Sequence, residues 1–225
     1  MDVRVEMVQS LARVVASLSL GHPTRVAIDG RSAAGKTTLA DELAQAVRAS
    51  GRNVVRASID DFHYPGHRDR GRHLAWTPQS YYDEAYDYQA FQEVLLDPLG
   101  PDGSRRCRTA LFDSLRDRPF PEAWISVSDR AVVVIDSIFL LRPEFAGQWD
   151  FIVWLEIDME TMVQRACGRD VAWVGSVAEV EDRYGQHWIP THELYERLAS
   201  PCARAHVVID NRCCAAPKAL RFSLS

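Results

Sequence analysis

Apolar positions recur along the chain in two periods, and their alternation lays out the elements. In residues 4–19, Val5, Val8, Leu11, Val15 and Leu18 fall on one stripe, the spacing of an amphipathic helix, and Gly21-His22-Pro23 ends it. A short apolar run over 25–29 leads into a glycine-rich turn. Helical spacing returns over 36–48 (Leu39, Leu43, Ala46, Val47), with Gly51 placed as a C-terminal cap. Residues 54–59 read as a second strand. Residues 60–80 are polar and aperiodic, a long loop of the kind that carries function in compact domains. Residues 84–97 read as helical. Residues 98–122 are rich in Pro, Gly and Arg, with a short hairpin expected around 108–112. The continuous apolar runs 131–135 and 151–157 read as buried parallel strands. Helices are expected over 160–169 and, in parts and broken at Pro190, over 177–195; 206–209 reads as a last strand. Five strands alternating with helices, without linker or repeat, predict an α/β fold: one mostly parallel sheet flanked by helices.

Composition narrows the class. The 225 residues are 47% hydrophobic and 25% charged, which excludes global disorder. The net charge of −5 argues against a nucleic-acid-coating protein. No apolar run approaches the roughly 18 residues of a membrane span, and the N-terminal stretch, interrupted by Arg4, Glu6 and Arg13, does not read as a signal peptide. Five cysteines without a C-x-x-C pair point to a reduced, cytoplasmic chain without structural zinc. Of 26 basic residues only Lys36 and Lys218 are lysines, so a lysine within a motif is informative.

Gly30-Arg31-Ser32-Ala33-Ala34-Gly35-Lys36-Thr37 satisfies G-x-x-x-x-G-K-[ST] between a strand and a helix. Glycines let the backbone curl so that several N–H groups meet one phosphate, and the helix adds the positive end of its dipole. The expected ATP site therefore runs over Gly30, Ser32, Ala33, Ala34, Gly35, Lys36, Thr37 and Thr38. Lys36 would reach the β- and γ-phosphates, and the Thr37 hydroxyl would ligate Mg2+. This makes the fold that of the P-loop containing nucleoside triphosphate hydrolases.

Asp60 follows the second strand, where open α/β sheets bind ligands. A carboxylate there can accept a proton from an attacking hydroxyl or hold magnesium; it can equally cap a turn. Asp136, after four apolar residues, has the setting of a magnesium-side carboxylate, with a cap or buried polar residue as the alternative. Arg165 and Arg169 share a helical face and suit a transferring phosphoryl group, or a solvated face. Arg68, Arg70 and Arg72, with His67 and His73, form one basic cluster; Arg105, Arg106 and Arg108 form another. Each suits an anionic ligand or plain loop charge.

The order of these motifs, with Asp60-Asp61-Phe62-His63 and the tail Tyr184…Trp188-Ile189-Pro190…Tyr195…Pro201…His206-Val207-Val208-Ile209, resembles the uridine kinase, phosphoribulokinase and pantothenate kinase group, and most of all uridine kinase-like proteins. The resemblance spans about 22–212 and implies one kinase domain over 1–225, with a lid helix and a small substrate-side hairpin. It implies ATP-dependent phosphorylation of a small-molecule hydroxyl. Asp60 then takes the general-base position, with Phe62 and His63 beside it at the substrate, and Asp83 the place of an acid that holds sugar hydroxyls. Arg165 and Arg169 become lid arginines, with Lys36 and Asp60 completing the catalytic set, and Arg169 also reaches substrate. Thr37, Asp136 and Asp60 form the metal side, Asp136 standing where uridine kinases have a glutamate.

Two departures bear on the acceptor. The base-reading hairpin of uridine kinases ends in a histidine that Phe112-Asp113-Ser114-Leu115-Arg116-Asp117 lacks, and Val171–Gly175 replaces a basic segment after the lid helix. The sequence reading is thus a magnesium-dependent kinase acting on a nucleoside. A sugar, sugar phosphate or pantothenate-like acceptor is the alternative. A rival class, an NTP-hydrolysing switch or assembly protein, lacks an Asn-Lys-x-Asp guanine-reading motif here. The expected partner is a small-molecule substrate, not nucleic acid or membrane; homo-oligomerisation stays open, as does an interface or lid role for Trp173 and Trp188.

Overall fold

A computed structural model describes residues 2–67 and 76–223. Its elements in chain order are α1 (Val3–Ser17), β1 (Thr24–Gly30), α2 (Lys36–Ala49), β2 (Val54–Ser58), α3 (Pro78–Glu84), α4 (Tyr88–Phe91), β3 (Arg106–Cys107), β4 (Phe112–Asp113), β5 (Arg118–Pro119), β6 (Ile125–Ser126), β7 (Val132–Asp136), β8 (Phe151–Glu156), α5 (Met159–Val174), α6 (Val177–Arg183), α7 (Ile189–Ala199), α8 (Pro201–Arg204), β9 (Val207–Asp210) and β10 (Lys218–Phe222).

β1 and β7 are buried along their whole length and β8 along nearly all of it, which is why they read as unbroken apolar runs. They form the centre of a six-stranded sheet of order β10-β9-β8-β1-β7-β2. All neighbours are parallel except β10, which pairs antiparallel with β9. The sixth strand is a correction to the expected five. Its sequence, Lys-Ala-Leu-Arg-Phe, lies at an exposed sheet edge and carries no apolar run to announce it.

Successive residues of each strand supply two cores. Val26, Ile28, Val134 and Val153 face a layer built from α1, α2, α5 and α6. Ala27, Ile135, Ile152 and Trp154 face α3, α4 and α7. No helix among the described residues is long and apolar enough to cross a membrane.

Three further expectations shift. The apolar pattern over 84–97 resolves into α4, a π-helical turn Gln92–Leu96 and a 3₁₀ turn Asp97–Leu99, because Asp87 caps a new start by accepting from Ala90 N–H at 2.9 Å. Pro190 does not break a helix: it occupies the first turn of α7, where its missing N–H costs nothing, just after a π-helical turn Tyr184–Trp188. The single hairpin becomes two small ladders, β3 with β6 and β4 with β5. Arg68, Arg70, Arg72 and His73 lie outside the described residues.

Candidate active site

The phosphate loop joins β1 to α2 in a conformation its glycines require. Gly30 has φ +154°, and a Cβ there would lie 2.5 Å from the Leu155 carbonyl oxygen. Gly35 has φ +90°. The loop is braced on several sides. Gly30 N–H donates to Asp29 Oδ1 (2.7 Å), Asn211 Nδ2 donates to Ala34 O (2.7 Å), and Arg31 pairs with both Glu156 and Glu196. Lys36 Nζ donates to Arg31 O at 2.8 Å. Burial pushes the Lys36 ammonium below its usual range, opposed by the charges of Asp29, Asp60 and Asp136. Burial likewise raises the Asp29 carboxyl to about 6, against the bonds from Tyr195 and Gly30 and the charge of Lys36.

In front of the loop lies a cavity of about 820 Å³. Ser32, Ala33, Gly35, Lys36, Thr37 and Thr38 line it, whereas Gly30 and Ala34 sit behind the arch. The ends of β2 and β7 bring the acids to the same space. Thr37 Oγ1 donates to Asp136 Oδ2 (2.6 Å), and Arg56 pairs with Asp136 Oδ1 (2.8 Å). Asp60 Oδ1 accepts from both Tyr86 Oη and Ser137 Oγ at 2.9 Å, and Oδ2 has no hydrogen-bond partner among the described residues. Thr37, Asp136 and Asp60 are hard oxygen donors suited to magnesium. No group of three or more His, Cys, Asp or Glu among the described residues could hold a metal on its own. That donor set fits an ion that keeps waters and phosphate oxygens among its ligands.

Arg165 and Arg169, the expected lid arginines, line the cavity from α5 and are already engaged. Arg165 donates to Ala33 O (3.3 Å), Asn211 O (2.7 Å) and Arg212 O (2.9 Å). Arg169 forks onto Asp170 (2.6 and 2.9 Å) and reaches Tyr184 Oη at 3.0 Å, bonds that hold its guanidinium charged.

His63 lines the cavity, its ring stacked on Tyr86 at 4.4 Å and its Nδ1 bonded to Ala85 O. Two predicted substrate residues do not. Phe62 is fully buried and packs edge-on against Phe91 at 5.1 Å, because the 3₁₀ turn Ile59–Asp61 delivers its ring to the core below the sheet end. Asp83 is exposed and hydrogen-bonded to Gln79 at 2.8 Å; the buried face of α3 belongs to Tyr81 and Tyr82. The cluster at 105–108 also lies away from the cavity: Arg105 pairs with Asp129 and caps loop carbonyls, and Arg106 stacks over Trp124.

Sequence reasoning did not assemble the aromatic wall of the cavity, naming only Trp188 of it, for an interface or lid. Trp76, Tyr81 and Trp188 form an aromatic corner with ring centroids 5.5 and 4.6 Å apart. His187 lines the same wall with both ring nitrogens buried and without a hydrogen-bond partner among the described residues. His187 and Trp188 are delivered by the π-helical turn after α6, which leaves no local signal.

Asp61 also lines the cavity. Burial, then the charges of Asp60, Asp113 and Asp136, raise its carboxyl to about 6. A raised folded-state value means stability that is full below the unfolded value near 4 and lost as pH rises through 6. Asp61→Asn escapes that loss. It is expected to melt with the parent chain near pH 4 but higher at pH 7 and above, by about 1 kcal/mol after discounting for solvent, or ~2–4 °C. Thermal scans across pH check this, and an equal difference at all pH values would contradict it.

The phosphate loop on β1, the parallel order of the neighbouring strands and the acids at their ends define a P-loop nucleoside triphosphate hydrolase fold. Neither a family model nor a curated protein matches the chain. Solved structures do. A possible uridine kinase from Bacillus stearothermophilus shares 22% identity over 90% of this chain and 97% of its own, with a TM-score of 0.68. A candidate fructose transport system kinase from a Silicibacter species shares 24% over 85% and 95%, TM-score 0.69. D-glycerate 3-kinase from Cryptococcus neoformans shares 12% over 92% and 96%, TM-score 0.59. At these identities the likeness is one of fold.

Proposed function

We propose that the chain is one P-loop kinase domain that transfers the γ-phosphoryl group of ATP to a hydroxyl of a small molecule, a nucleoside first among the candidates. The observation that carries this is Asp60. It lines the same cavity as the phosphate loop, close enough for its charge to act on Lys36, with one carboxylate oxygen pinned by Tyr86 and Ser137 and the other unpartnered among the described residues. The pinned oxygen orients the group, and the second is placed to take the acceptor's proton. A hydrolase needs no such acceptor wall, and the aromatic corner beside Asp60 supports an organic acceptor.

Lys36 would neutralise charge building on the transferring group, with Arg165 and Arg169 closing from α5. Thr37 and Asp136, with Asp60 nearby, would hold magnesium, which supplies positive charge to the phosphate oxygens. Arg165 ties α5 to the loop through Ala33 O, and Arg169 is held at the cavity by Asp170 and Tyr184, so both would meet the phosphates from fixed positions. The fold likeness to structures named as uridine, fructose-system and glycerate kinases supports a kinase without choosing the acceptor.

The test is ADP release from magnesium-ATP with nucleosides, pantothenate, and free and phosphorylated sugars offered in turn. Release that rises with one acceptor class supports the reading, and release indifferent to every acceptor counts against it. His187 gives a finer check. A polar group left unpaired in a cavity wall is satisfied when the ligand arrives. His187→Leu is expected to raise the acceptor KM by about 10-fold while the ATP KM stays within about 2-fold. Steady-state kinetics separate the two, and an unchanged acceptor KM would remove His187 from the acceptor site.

A further inference from the structure

Helix α7 meets the phosphate loop along one face. Its residues 192, 195 and 196 lie three and four apart, the spacing that brings side chains to one side of a helix. Each grips a different residue of the loop or of the end of β1 that leads into it. Tyr195 Oη donates to Asp29 Oδ2, Glu196 pairs with Arg31 at 2.7 Å, and His192 Nε2 takes the Ser32 backbone N–H at 3.1 Å. The Ser32 hydroxyl lies 3.0 Å from the same nitrogen. The next turn back carries Thr191, Trp188 and His187 into the cavity wall.

His192 is the unexpected member. It is 1% exposed, and its Nδ1 is buried with no hydrogen-bond partner among the described residues. Burial, and then the charges of Lys36 and Arg31, push its imidazole down to about 3, so the ring is neutral. A neutral ring that accepts through Nε2 carries its proton on Nδ1. That N–H is therefore buried without an acceptor among the described residues, an uncompensated desolvation. A side chain present only to fill the space would be better apolar. The loop's own needs explain the choice. Ala34 N–H is spent on Arg31 O, while the N–H groups of Ala33, Gly35, Lys36 and Thr37 have no acceptor among the described residues and stand where a phosphate would meet them. Ser32 directly precedes the residues whose N–H groups stay open.

We propose that His192 is a positioning residue for nucleotide binding: by accepting the Ser32 N–H it fixes the phosphate loop in the arch that turns the following amides toward the phosphates. The proposal rests on the nucleotide-binding part of the reading above and is independent of the acceptor. Gln places an amide oxygen close to where His Nε2 lies, whereas Leu fills the space and offers no acceptor.

Calorimetric titration with magnesium-ATP tests this on the parent chain, His192→Gln and His192→Leu, with circular dichroism and thermal unfolding to show that each is folded. The expected result is about a 10-fold weaker Kd for His192→Leu, recovery to within about 3-fold for His192→Gln, and a melting temperature for the Leu variant no lower than that of the Gln variant. A purely structural role predicts that affinity follows stability, with the Leu variant binding at least as tightly as the Gln variant, since buried Leu packs better than buried Gln. Folded Leu and Gln variants that bind equally, or a Leu variant that binds like the parent, would overturn it. If the Leu variant does not fold, the 15N–15N coupling across the hydrogen bond from Ser32 N to His192 Nε2 in the parent chain decides, and its absence overturns the proposal. A parent chain that fails to bind magnesium-ATP would instead remove the nucleotide reading itself, so the two failures are told apart.

Discussion

Asp60→Asn is expected to lower turnover on the order of 10²–10⁴-fold while leaving magnesium-ATP affinity within a few-fold of the parent. The substitution keeps the shape of the group. Its amide oxygen can still accept from Tyr86 and Ser137, so the side chain stays oriented. What changes is the second position. A carboxylate oxygen that can take a proton becomes an NH₂ that can only donate. Acceptor binding should fall less than turnover, because the proton is transferred only as the new bond forms. Steady-state kinetics with calorimetric ATP binding measure both. A variant within about 3-fold of the parent in turnover would show that Asp60 is not the base.

Lys36→Met is expected to remove on the order of 10³-fold from turnover over KM for ATP. Methionine has similar length and reach, so the loss isolates the charge. Two consequences combine. The loop loses the Nζ bond to Arg31 O that helps hold its arch. Asp29, Asp60 and Asp136, which now favour the ammonium, face one another without the cation between them. Arginine is not expected to restore activity, because its planar fork does not fit the point-charge position occupied by Nζ. Near-parental kinetics in Lys36→Met would contradict the placement of the γ-phosphate at this loop.

The sequence made the centre of the fold legible and its margins obscure, for physical reasons. β1, β7 and β8 are covered on both faces, so their burial is written into the chain as apolar runs, and the glycines at 30 and 35 are required locally by positive φ. β10 is held by hydrogen bonds to β9 at an exposed edge, where side chains need not be apolar. The acids at the ends of β2 and β7 could be found because a strand end is a position along the chain. Asp83 was misplaced because helix phase is not: one residue on from Tyr82 is enough to turn a side chain out to solvent. Phe62 shows the same limit in a 3₁₀ turn. His192 and Glu196 escaped notice because their contacts span long stretches of chain, 160 residues for His192 and Ser32 and 165 for Glu196 and Arg31. No periodicity encodes such a meeting.

An organic hydroxyl, rather than water, is expected to receive the γ-phosphoryl group of ATP. The most direct measurement uses ATP labelled with oxygen-18 on its γ-phosphoryl group, incubated with the purified chain, magnesium and the acceptor panel, followed by mass spectrometry of every product. One acceptor is expected to gain a single labelled phosphoryl group in step with ADP formation, with Asp60→Asn slowing the gain on the order of 10²–10⁴-fold. Label recovered only in inorganic phosphate, at a rate no acceptor changes, would contradict it and make the chain a nucleotide hydrolase.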